Sequence, residues 1–237
     1  MKSFRKCSST LGFAVILVMF LSGTAAASPE STADTLAKFF RAARSVVAVR
    51  RDMIGEPKKT PVGTTFVKGA KGIYKRHTGA PLDETSPYVR DLMEAIAAVA
   101  DKAHSGGFDE MWPSGQYAKK LLPARFAKAV ADEFSSRTGN KASIKLTVPD
   151  ELLVNPENRA DDWEREVING QFKGGSWPRN KIFTAQIDST FRYILPEYYD
   201  GSCLGCHGGD NGKDIHAGKV EGKMGDIGGA ISVTLTN

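Results

Sequence analysis

From Thr35 to Ile54 apolar residues return every three or four positions, through Leu36, Phe39, Phe40, Ala43, Val46, Val47, Met53 and Ile54. Lys38, Arg41, Arg44 and Arg51 fall largely between them, so the stretch predicts a long amphipathic helix. Gly55 and Pro57 stop it, and a segment rich in Lys, Gly and Thr, up to Pro87, reads as loop. Val89, Leu92, Met93, Ile96 and Val99 predict a second helix from Tyr88 to His104, and Phe126, Ala129, Val130 and Phe134 a third from Pro123 to Ser135.

Beyond Gly139 the period drops to two. Ile144, Leu146 and Val148 alternate with Ser143, Lys145 and Thr147, as in a half-buried strand that Pro149 ends. A short helix over Asp161 to Ile168 follows the Asn155-Pro156 turn. Strands are predicted over Lys181 to Ile187 and Thr190 to Leu195, joined by a tight turn at Asp188-Ser189, and over Gly229 to Leu235. Helices first and strands afterwards give an α+β fold. The chain shows no internal repeat and no low-complexity tract.

The N-terminus changes where that fold begins. Lys2, Arg5 and Lys6, the apolar run Leu11 to Leu21 and Ala25-Ala26-Ala27 have the order of a signal peptide over residues 1–27, leaving 28–237 as a single domain. The apolar run falls short of the roughly 20 residues of a spanning helix, so an uncleaved anchor is the weaker alternative and no membrane span is expected after cleavage. The formal charge of +5 includes the three leader cations, and removing them leaves +2. With basic residues only in short clusters such as Lys58-Lys59 and Lys75-Arg76-His77, nucleic-acid binding is not expected.

Cys7 precedes the apolar run and goes with the leader, so two cysteines remain, in Cys203-Leu204-Gly205-Cys206-His207 between the last two strands. Two thiols that add across haem vinyl groups, followed at once by a histidine for the iron, make up a c-type attachment site. The expected cofactor is therefore one covalent haem c on Cys203 and Cys206, with His207 as axial ligand. Three other readings compete. A redox dithiol belongs at the start of a helix, whereas Gly208-Gly209 follows here. Zinc would need Cys203, Cys206, His216 and either another residue or His207, which is awkwardly adjacent to Cys206. A plain disulfide is the third.

Four stretches carry a resemblance, in this order along the chain: Asn155 to Glu164, Phe191 to Pro196, the haem motif, and Gly225 to Val233. With them the chain resembles the Tll-like c-type haem domain family, strongly in its second half and weakly in its first. The resemblance implies a PAS-like antiparallel sheet with flanking helices and a bound haem, in proteins that occur alone or as sensor modules. It leaves the sixth iron ligand open, since that ligand varies in the family.

Candidates for the sixth ligand are Met53, on the apolar face of the first helix, and His77, in the basic loop; an open position is the third possibility. His104, near a helix C-terminus, is accounted for by the helix dipole, and His216 and Met224 lie close to the attachment site. Arg192 is a candidate for a haem propionate, through its planar fork, or a surface arginine. Asn155, Asn158 and Trp163 read as turn cap, helix cap and core, and the acids Asp161, Asp162 and Glu164 suit a helix start. No nucleophile with a partner suggests an enzyme. The expected function is an exported, soluble, periplasmic electron carrier with an unidentified redox partner. The alternative is a haem-based redox or gas sensor acting through a separate partner protein, which the lack of an output domain after Asn237 makes second.

Overall fold

The computed structural model describes residues 27–49, 61–105, 123–153, 155–174, 176–208 and 221–236. Helix α1, Pro29–Val49, has the predicted apolar face: Leu36, Phe39, Phe40, Ala43, Val46 and Val47 are all buried. Lys38 pairs with Asp34 one turn away at 2.7 Å. Met53 and Ile54 lie outside the described residues.

The segment expected to be loop before Pro87 instead contains helix α2, Gly63–Thr78. Phe66, Val67, Ala70, Ile73 and Tyr74 form its buried stripe, against α1. Its glycines mimic a loop in sequence, but Gly63 serves close packing: a Cβ there would stand 2.6 Å from the Ala97 carbonyl oxygen. His77 is therefore on the last turn of a helix, exposed.

Helices α3, Pro87–His104, and α4, Pro123–Arg137, match their predicted spans closely, with Pro87 at the first turn of α3. Their packing on α1 and α2 includes Phe126 of α4 against Phe66 of α2, ring centroids 4.9 Å apart.

Strands β1 (Ala142–Thr147), β2 (Phe183–Ile187), β3 (Thr190–Tyr198) and β4 (Ile227–Thr236) form an antiparallel sheet in the order β1-β4-β3-β2. Asp188, with φ 51°, turns β2 into β3. Period-two alternation gives the sheet two faces. Ile144, Tyr193, Leu195, Ile231, Val233 and Leu235 join the core beneath the helices, while Ile194 and Ala230 face the other way. Helix α5, Asp162–Val167, runs on as a wider π turn, Ile168–Phe172, and covers that second face with Val167, Ile168 and Phe172. The result is the α+β fold expected, a sheet flanked by helices.

Beside β3, α1 runs in the same direction. The Tyr193 hydroxyl donates to Asp34 at 2.7 Å, and further along Arg41 and Arg44 both reach Glu197, Arg44 at 2.9 Å. Both elements thus point toward the sheet end where β3 delivers the chain into the cysteine motif. No helix among the described residues is long and apolar enough to cross a membrane.

Candidate functional site

The motif expected to be loop forms a short helix, α6, Gly201–His207. Two glycines hide it in the sequence, but Asp200 starts it by accepting from the amides of Ser202 at 2.8 Å and Cys203 at 3.2 Å. The same oxygen accepts from the Ser202 hydroxyl at 2.6 Å, and that bond first among several holds the carboxyl below the usual carboxylate range. The stability it lends is therefore complete above its unfolded value of about 3.9 and is lost as pH falls through the lower folded value. Asp200→Ala should cost about 0.5–2 kcal/mol, read by denaturant unfolding at neutral pH, and Asp200→Asn much less.

Helical spacing puts positions 203, 206 and 207 on one side of this turn. Cys203 is half-buried, and burial first, with the facing Asp200 carboxylate, pushes its thiol up, so it is protonated at neutral pH. A redox dithiol needs the opposite, a stabilised thiolate, so the helix beneath Cys203 does not revive that reading. Cys206 is in the same turn; its side chain and His216, the further ligand of the zinc alternative, lie outside the described residues.

His207 ends α6, with its ring stacked on Tyr199 at 5.1 Å between centroids and 29° between planes. Tyr199 is buried, and its phenol is pushed up mainly by that burial. The Tyr199 amide donates to the Asp226 carbonyl at 2.9 Å, and its carbonyl accepts from Gly225 at 2.8 Å. The amide of Gly222 donates to the His207 carbonyl at 2.7 Å. A Cβ on Gly222 or Gly228 would stand 2.5 or 2.6 Å from the Tyr199 ring. These glycines therefore leave room for the aromatic plate behind the imidazole, which gives the Gly225 to Gly229 stretch a physical purpose. Gly222→Ala or Gly228→Ala should displace Tyr199, and with it the shielding of His207; the check is a downfield or upfield shift of the His207 ring protons relative to the wild type, with an unchanged spectrum contradicting it. On the far side of Tyr199 opens a cleft of about 450 Å³ walled by Phe172, Trp177, Tyr198 and Ile227.

Arg192 sits elsewhere. On the sheet face opposite α1, its Nη2 donates to Asp161 at 2.7 Å and Glu164 at 3.4 Å, and its guanidinium lies 4.6 Å over the Trp163 ring. Glu164, 1% exposed, also accepts from the Thr147 hydroxyl and the Asp161 amide, each at 3.0 Å, and pairs with Lys145 at 2.9 Å. Burial works against ionisation of Asp161, but the Glu164 amide and Arg192 outweigh it and hold that carboxyl below its usual range. Asp161, rather than Asn158, caps α5, through a reciprocal capping box with Glu164. Asn155 caps the turn before it, accepting from the Glu157 amide at 3.1 Å. The structure thus gathers the Asn155 to Glu164 stretch and Arg192 into a clamp between α5 and the sheet, not around α6.

Nor does it bring His77 to α6. The ring contact of Phe39 with Tyr74 and the approach of Val46 to Gly69 make α1 and α2 antiparallel, so His77 lies toward the start of α1. Met224, 64% exposed, touches the start of α6, its Cε 3.8 Å from where a Cβ of Gly201 would be. Tyr199 is the residue that sequence reasoning missed; its signal was the aromatic pair Tyr198-Tyr199 leading into the motif, opposite glycines 222 and 228.

The set α6 presents is two thiol positions and an imidazole on one helical turn, a donor set that suits covalent haem and a nitrogen ligand to its iron. A family model described as Tll0287-like matches residues 24–236. No match emerges among curated proteins. Among solved structures, the crystal structure of the cyanobacterial heme-protein Tll0287 aligns at a TM-score of 0.42 and 15% identity, covering 65% of this chain and 98% of that one.

Proposed function

This chain belongs to the Tll0287-like family, and from that premise we propose that it is an exported monohaem c-type cytochrome that carries electrons. Cys203 and Cys206 would hold the haem as thioethers, and His207 would bind its iron. The observation that carries this reading is the placement of Cys203 and His207 on one short helix, fixed at its start by Asp200 and backed by Tyr199. Bound there, haem supplies a one-electron iron couple.

The chain's own residues do the rest. Cys203, its thiol protonated, would supply one of the two sulfurs that hold the haem. Tyr199 limits the rotation of the His207 ring, and the buried core keeps water away behind it. Export follows from the leader over residues 1–27, since attachment of this kind takes place outside the cytoplasm; the purified mature chain is expected to begin at Ser28.

The carrier and sensor readings part on ligand exchange. A carrier is expected to be reduced and reoxidised reversibly, to turn over no small molecule, and to stay six-coordinate and low-spin when the ferrous protein meets carbon monoxide. Rapid, tight carbon monoxide binding would overturn the carrier in favour of a gas sensor.

A further inference from the structure

His104 is the last residue of α3, only 4% exposed, and its Nδ1 has no hydrogen-bond partner among the described residues. The dipole of α3 favours a cation there but supplies no partner to a buried ring nitrogen. Such a nitrogen is costly to bury unless a partner completes it. For an imidazole nitrogen that partner is a hydrogen-bond acceptor if it is protonated, and a hydrogen-bond donor or a metal ion if it is not.

Two independent routes through the fold place His104 at the same end of the molecule as α6. The first runs through the helices. Asp101, one turn before His104, accepts from the amides of Val62 and Gly63 at 2.6 and 2.7 Å, which joins the end of α3 to the start of α2. Because α2 is antiparallel to α1, its start lies by the end of α1, and α1 runs with β3 toward α6. The second runs through the sheet. Arg137 at the end of α4 bonds Glu94 in the first half of α3 at 2.7 Å, so α3 and α4 are antiparallel and the end of α3 meets the start of α4. Helix α4 returns as β1 and packs on it, which sets that start over Thr147. Thr147 pairs with Ala230, and Ala230 with Pro196, one residue before the Glu197 that α1 grips on the way to α6.

Among the described residues the other imidazoles and thioethers do not compete on these observations, while Met53 lies outside them. His77 is exposed and at the opposite end of α2, Met224 is exposed on the outside of α6, and Met93 lies well back along α3. We propose that His104 is the second imidazole that would hold the haem iron, together with His207, making the centre bis-histidine. The inference rests on the c-type reading above and adds to it the ligand that sets the spin state and the potential. With imidazole in place of a thioether, the potential is lower than in a His/Met cytochrome.

The test compares wild type, His104→Ala and His104→Met, each first checked for covalent haem on a denaturing gel. Wild-type ferric protein should give the low-spin paramagnetic resonance of two imidazoles and lack the long-wavelength charge-transfer band of a thioether. His104→Ala should keep its covalent haem, become high-spin, bind carbon monoxide, and return to the low-spin spectrum when imidazole is added. His104→Met should stay six-coordinate with a raised potential. A low-spin His104→Ala haem overturns the proposal, whether its potential is unchanged or merely shifted, the latter marking a hydrogen bond to the haem rather than a bond to iron. Should His104→Ala fail to fold, a thioether band or a high-spin centre in the wild type overturns it equally. A wild-type chain without covalent haem defeats the c-type reading itself, and the gel separates that outcome from the others.

Discussion

A Cys203→Ala, Cys206→Ala double variant is expected to lose all covalent haem, and each single variant most of it. Both cysteines stand on α6, and the third cysteine of the sequence, Cys7, falls in the proposed leader. Any haem in the double variant should therefore leave with acid-organic solvent. A surviving single thioether should show in the alkaline pyridine spectrum as the band shift of one unreacted vinyl. His207→Ala leaves both thiols in place, so its main effects should fall on iron ligation and maturation. Covalent haem at wild-type yield in the double variant would mean that the attachment lies elsewhere.

Glu164→Ala should be the most damaging substitution outside the motif, lowering stability by about 3–5 kcal/mol. Its carboxylate is buried and collects Lys145, Arg192, the Thr147 hydroxyl and the Asp161 amide. Removing it leaves two cations beside an apolar cavity and deprives the α5 capping box of one half. Glu164→Gln keeps an acceptor of similar shape and should cost less, and the difference measures the charge. Urea unfolding at neutral pH gives both numbers. A Glu164→Ala change within about 0.5 kcal/mol of wild type, the range of an ordinary surface substitution, would show that the clamp contributes nothing. Because the clamp grips the sheet face opposite α1, the haem spectrum of the folded Glu164→Gln protein should match the wild type.

The sequence announced elements wherever burial follows one period. The stripe from Leu36 to Val47, the Val89 to Val99 face and the alternation from Ile231 to Leu235 all turn into one core, and each lies in an element of the type read. Helix α2 escaped because Gly63, Gly69 and Gly72 suggest loop by propensity, although Phe66, Val67, Ala70, Ile73 and Tyr74 already held helical spacing. Tertiary packing against α1 and α3 overrode the propensity, and Gly63 allowed the close approach to Ala97 of α3. Helix α6 escaped for a related reason, since two glycines in seven residues outweigh the single Asp200 cap when only the sequence is read.

At the site, the chemistry was legible and the supports were not. Two thiols three positions apart with an imidazole directly after the second form a donor set that suits covalent haem, readable from the spacing. Tyr199, Gly222 and Gly228 meet only after β3 and β4 have paired, so no local pattern could join them. Arg192 shows the converse: its planar fork suited a propionate in one dimension, and the fold gave it Asp161 and Glu164. His104 looked satisfied by its helix end until packing buried its ring.

Mass spectrometry of the wild-type chain, produced in a host that exports it and matures cytochromes, then denatured and stripped with acid-organic solvent, tests the central claim most directly. The account predicts a coloured polypeptide beginning at Ser28, heavier than its sequence by one haem, with the added mass on the peptide that contains Cys203 and Cys206. A colourless polypeptide at the bare sequence mass, with haem absent or wholly in the solvent, would contradict it.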